Sequence, residues 1–139
     1  TTYFELPVWP AVLGHDPRLQ FIHEDDLVRA MHHAVITDQG GTFNVAGGGT
    51  ITLSQAARLA KHPLLRLPAQ FFSPASGTLR RLGVVDLSRE QLSLLKYGRL
   101  VDTSRARDLL GFTAEFSSRD TFEEFVAHRI TKRAGLRGK

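Results

Sequence analysis

The feature that most constrains this chain is the junction at residues 18–29, R-L-Q-F-I-H-E-D-D-L-V-R, where a short apolar run ends in a histidine and three acids. Immediately after it Leu27, Ala30, Met31, Ala34 and Val35 recur at i, i+3, i+4, i+7 and i+8, the spacing of one buried helical stripe. Leu19 to His23 therefore predicts a short strand that passes directly into a helix. Asp25 or Asp26 is placed to cap that helix, because a carboxylate accepts from free N–H groups in the first turn and opposes the positive dipole end.

A metal site is the other chemistry such a cluster invites. Three or four ligands must converge on one ion, yet His23, Glu24, Asp25 and Asp26 are consecutive and point in different directions. His32 and His33 are helical neighbours and do not join His23 around one ion. Two readings stay open: capping alone, or a mixed role in which the strand end places Gln20 or His23 at a pocket while Asp26 anchors the helix behind it.

The rest of the chain alternates short extended pieces with helices. Residues 1–17, with Pro7, Trp9, Pro10, Gly14 and Pro17, read as an extended lead-in. Thr42–Ala46 is a second strand candidate and Gly47-Gly48-Gly49 a turn. Ser54 is read as the cap of a helix carrying Ala56, Ala57, Leu59 and Ala60 before Pro63, and Leu64–Leu67 as another extended piece. Ser73-Pro74 opens a helix that Gly83 closes, and Ser88-Arg89-Glu90-Gln91 forms a capping box ahead of Leu92, Leu94 and Leu95. Asp102 or Thr103 starts a helix that Gly111 ends. A last helix begins near Asp120, with Phe122, Phe125, Val126 and Ile130 inside. The order is α/β first and mostly helices afterwards.

With 139 residues the chain has the length of one modest domain. It contains no cysteine, hence no disulfide or thiol nucleophile, and no apolar run of membrane-spanning length. A cytoplasmic location is the expectation. The formal charge is +4, but residues 128–139 alone hold five Lys/Arg and no acid, which leaves −1 for everything before them. Basic charge confined to residues 131–139 and their approach reads as a helix end and solvated tail, so no nucleic-acid role is expected. The triple glycine fits neither G-x-G-x-x-G nor G-x-x-x-x-G-K-[ST].

Three segments carry a resemblance. Leu19-Gln20-Phe21-Ile22-His23-x-x-Asp26-Leu27, Gly41-Thr42-Phe43-Asn44-Val45-Ala46-Gly47 and Asp102-Thr103-Ser104-Arg105-Ala106-x-x-Leu109-Leu110-Gly111-Phe112 are similar, in order and spacing, to segments of the extended short-chain dehydrogenases/reductases, the NAD-dependent epimerase/dehydratase family. The flavour is that of actinobacterial UDP-glucose 4-epimerase-like proteins.

The resemblance implies an α/β fold, the C-terminal helix-rich substrate lobe of an extended Rossmann-type reductase with few short strands. The Rossmann sheet lies outside the chain. In that family a glycine-rich turn binds NAD or NADP and a Tyr-x-x-x-Lys pair does acid/base work, both earlier in the sequence. Tyr3 is followed four residues on by Pro7 and Tyr97 by Val101, so the pair has no counterpart here. The expected organisation is a lead-in at 1–17, a substrate-binding lobe at 18–130 and a basic tail at 131–139.

The expected partners are an N-terminal Rossmann domain of the same protein and a small, sugar-like substrate. Gln20, Phe21, His23, Tyr97 and Arg99 are the substrate-side candidates. Asp26, Asn44 and Asp102 are read as caps or strand-end hydrogen bonders. Where sugar-nucleotide members carry an arginine this chain has Leu19, with Arg18 one residue off and hence on the opposite strand face; Lys96 and Arg99 are placed to substitute for a second one. The alternative is a non-catalytic binding module that uses the basic tail. If the lobe is built to meet another domain, Tyr3, Phe4, Trp9, Val12 and Phe43 are expected to lose cover, and self-association is expected.

Overall fold

Strand β1 (Trp9–Val12) pairs in parallel with β4 (Leu64–Leu67), in the register Trp9↔Leu64 to Val12↔Leu67. The structure, a computed structural model, describes residues 2–72 and 89–136. Parallel pairing requires a crossover, whose last part is helix α2 (Leu53–Leu59). Trp9 and Leu13 donate their N–H groups to Pro63 and Leu67. Position 10, out of phase with them, faces away from β4, where the missing N–H of Pro10 removes no ladder bond.

Two further strands, β2 (Arg18–Leu19) and β3 (Ile51–Thr52), pair with each other. The other helices are α1 (Glu24–Ile36), α3 (Arg89–Tyr97), α4 (Ser104–Leu110) and α5 (Ser118–Leu136). The chain is thus mixed α/β, as expected, with five helices and two small sheets among the described residues. No helix there is long and apolar enough to cross a membrane.

The chain forms two compact units, one of Thr1–Arg18 with Thr52–Arg99, the other of Leu19–Ile51 with Leu100–Lys139. In the first, all four residues of β1 are buried. Residues 1–17, expected as an extended lead-in, thus contribute a buried strand to this unit. Trp9 and Val12 are only 2% and 1% exposed, which corrects the expectation that they lose cover. Phe4 and His62 close over Trp9 with ring centroids 5.1 and 4.7 Å away. Each such buried side chain is worth roughly 1.5–3 kcal/mol.

Helix α2 opens on a reciprocal capping box: the Gln55 N–H donates to the Thr52 hydroxyl and the Gln55 side chain accepts from the Thr52 N–H. Thr52, not Ser54, is the cap. Ser54 instead donates its N–H and hydroxyl to the two carboxylate oxygens of Asp16. At the other end the His62 N–H reaches Ala57 O and the Lys61 N–H reaches Arg58 O, a Schellman closure. Its left-handed position, usually glycine, is Lys61 at φ 49°.

In the second unit Ala30, Ala106, Leu110 and Phe112 form one core cluster, with Ala34, Phe43, Val45 and Ala114 packed against it. The buried line of α1 runs through Asp26 and Ala30, and the expected stripe is rotated out of it: Leu27, Met31 and Val35 are 42%, 63% and 79% exposed. The cause is Asp26, whose bonds described below fix which face turns inward. Thr42–Ala46 forms no ladder, although Phe43 and Val45 do face inward. The expected strand at Leu19–His23 stops at Leu19 because the next backbone groups bond to Gly47 and Ser118 instead.

Helix α4 ends at Gly111 in the left-handed region, as expected. Helix α5 begins two residues ahead of Asp120 and continues to Leu136, so the expected tail at 131–139 is helical over most of its length. The helix expected from Ser73 to Gly83 and the Ser88 cap lie outside the described residues.

Candidate functional site

His23 is the N-cap of α1. Its Nδ1 accepts from the Asp25 N–H at 3.2 Å, which leaves the ring proton on Nε2, and Nε2 donates to Glu124 Oε2 at 2.9 Å. The imidazole stacks on Phe116 with centroids 4.0 Å apart. Both ring nitrogens are thereby engaged and one tautomer is selected. This corrects the expectation that Asp25 or Asp26 caps the helix.

Asp26 does something else. Fully buried, its carboxylate accepts from the Glu115 N–H and the Phe116 N–H, both at 3.0 Å, and from Arg29 Nη1 at 2.7 Å. It ties the start of α1 to the loop ahead of α5. A buried charge is tolerated when hydrogen bonds compensate it in this way. Arg29 also bridges to Glu115 at 3.0 Å and lies over the Phe112 ring.

The triple glycine closes the same region. Gly47 N donates to Phe21 O, and a Cβ at position 47 would stand 2.8 Å from both Phe21 O and Phe116 O. Only glycine lets these three backbones meet. Ser118, also buried, shares its single hydroxyl proton between Gly47 O and Gly49 O, 3.2 and 3.1 Å away, and accepts from the Phe21 N–H. Gly47 is thus spent on internal packing, while Gly48 and Gly49 are exposed.

The substrate-side candidates fall into both units. Gln20, in the second, spans backbone: Oε1 accepts from the Val101 N–H at 3.0 Å and Nε2 lies 3.5 Å from Gly47 O. Phe21 is half-buried against Phe122, centroids 5.3 Å apart. Asn44 donates to Asp102 O. Asp102 receives the Ser104 N–H and hydroxyl, bonds that hold its carboxyl below the usual range. In the first unit Tyr97 is 74% exposed, its ring edge-on to His15, and Arg99 anchors by its N–H on Arg18 O. Gly98 permits that approach, since any side chain there would collide with the Arg18 carbonyl.

One groove escaped the sequence reading. With a volume of about 770 Å³, it lies in the first unit and is lined by Ser54, Ala57, Arg58, Lys61, His62, Pro63, Leu64 and Arg66. The run A-A-R-L-A-K-H-P-L-L-R held the signal, three cations in nine residues. Nothing in the spacing shows that a helix, its cap and a strand turn them toward one space. Nearby, burial pushes the Asp16 carboxyl up, but bonds from the Ser54 hydroxyl and N–H and from Thr52, with the field of Arg66, outweigh it and hold that carboxyl below its ordinary range. Among the described residues no group of three or more His, Cys, Asp or Glu is arranged to hold a metal ion.

No family model matches the sequence. The chain is similar to Uncharacterized protein Rv0501 of Mycobacterium tuberculosis, 36% identical over 128 residues that make up 91% of this chain and 34% of that protein. It is also similar to Uncharacterized protein Rv2047c of the same species, 32% identical over 138 residues, 96% of this chain and 14% of that one. The chain thus spans about a third or less of the length of these relatives. Among solved structures the crystal structure of gox2253 shares the fold, with a TM-score of 0.56 and 19% identity over 90% of this chain and 39% of that one.

Proposed function

We propose that this chain is the substrate-binding part of a longer NAD(P)-dependent epimerase, dehydratase or reductase of the extended short-chain type, acting on a hydroxylated, sugar-like substrate by hydride transfer. The observation that carries the reading is that the three segments with the family resemblance meet in one unit. Gly47 bonds to Phe21 and Asn44 to Asp102; Arg105 stacks on Phe43, and Phe112 packs in the cluster of Ala30 and Ala106. Motif residues spread over the sequence are here direct neighbours. The fold shared with part of gox2253, and the short share of the mycobacterial relatives, support a part of a larger whole.

In this scheme NAD or NADP supplies the hydride chemistry from an N-terminal Rossmann domain of the same protein, and this chain binds and orients. Gln20 and His23, with both polar ends engaged, are positioning residues. Phe21 offers an apolar wall. In the first unit Tyr97 and Arg99 are exposed and are substrate-side candidates of their own, and in the longer polypeptide Tyr97→Phe and Arg99→Gln raise KM more than they lower kcat.

Calorimetric titration tests the division of labour. NAD and NADP added to this chain, with Arg58 and Arg66 changed to Gln to remove charge attraction at the groove, give no saturable heat. A micromolar Kd for either dinucleotide would overturn the reading.

A further inference from the structure

We propose that the groove at the end of α2 is a binding site for a small polyanion carrying a phosphate or pyrophosphate group, held by Arg58, Lys61 and Arg66. It is independent of the reading above, since none of Gln20, Phe21, His23, Tyr97 or Arg99 lines it.

Three observations converge. The cations come from three different places, the last turn of α2, its left-handed cap and strand β4. A helix C-terminus attracts cations, which accounts for Arg58 and Lys61 but not for Arg66 on a strand. No carboxylate stands among the lining residues, and among the described residues neither Arg58 nor Lys61 has an ion-pair partner. The Asp16 carboxylate nearby offsets part of the Arg66 charge, but it does not pair with Arg58 or Lys61, so like charge gathers on one side of the groove and favours an anion there.

The third observation is Lys61 itself. At φ 49° it occupies the position where glycine is least strained, so a cation is kept here at some backbone cost. Guanidinium groups at 58 and 66 suit the bidentate geometry of phosphate oxygens. Ala57, Pro63 and Leu64 add apolar surface for an organic portion along this open groove.

The probe is inorganic pyrophosphate, titrated calorimetrically into the 139-residue chain. The expected result is saturable 1:1 binding, weakened at least tenfold in the Arg58→Gln/Arg66→Gln variant and several-fold in Lys61→Gly, a change that relaxes the backbone and so keeps the fold. Arg137→Gln/Lys139→Gln, in the basic tail, leaves it unchanged. The proposal is overturned if pyrophosphate gives no saturable heat, if the groove variants bind as well as the parent, or if the tail variant is the one that loses binding. Binding of a single-stranded oligonucleotide without binding of pyrophosphate would equally overturn it.

Discussion

The Asp26 carboxylate accepts the Phe116 N–H at 3.0 Å across 90 residues of sequence. With Glu115 N–H and Arg29 beside it, Asp26 is a buried tether. Asp26→Ala leaves two backbone donors and a guanidinium without their acceptor. Breaking a buried charged network typically costs about 3–5 kcal/mol, well above the roughly 0.5–2 kcal/mol of a lost helix cap. Denaturant midpoints distinguish the two: a loss within the cap range would return Asp26 to a capping role.

Lys61→Gly stabilises the first unit. The Schellman closure of α2 keeps its two backbone bonds, while the left-handed residue loses its Cβ clash, worth about 1 kcal/mol. A raised Tm is expected. A lowered Tm would show that the lysine side chain contributes more than its backbone strain costs.

Acid weakens the first unit through Asp16. Because its folded-state carboxyl is held below the ordinary range, its contribution is present above the unfolded value and is lost as pH falls from about 4 through the folded value. Asp16→Asn is expected to flatten this limb of the stability–pH curve. An unaltered limb would mean that the Ser54 bonds do not favour the charged form.

The exposed face of α1 drives self-association. Leu27, Val28, Met31, Val35 and Ile36 are all at least 42% exposed, and contiguous apolar surface of this kind is a contact in waiting. Met31→Gln/Val35→Glu is expected to reduce hydrophobic-dye binding and sedimenting oligomer, with the denaturation midpoint within about 0.5 kcal/mol of the parent. A dye-silent monomer before the substitutions would remove this face from the account.

What was legible in the sequence was local. Leu64–Leu67 is a strand residue for residue, and Gly111 ends α4 because a left-handed cap is a local requirement. What failed was set at long range. The face that α1 buries depends on N–H groups at 115 and 116, so helical periodicity alone chose the stripe beside it. The parallel partner of β1 lies more than fifty residues on, which is why Trp9 and Val12 looked like lead-in rather than core. The capping bond of His23 is invisible in the sequence, where three acids offer a stronger local signal. The groove was missed because its cations converge only after the turn at Lys61.

The most direct test of the central claim is turnover by a longer polypeptide containing this chain, followed as chromatographic conversion of hydroxylated, sugar-like substrates, because an epimerase or dehydratase returns its hydride and accumulates no NAD(P)H, alongside a version from which these 139 residues are removed. The account predicts turnover in the first; in the second, dinucleotide binding survives and substrate turnover is lost. Turnover with unchanged substrate preference in the absence of this chain would contradict it.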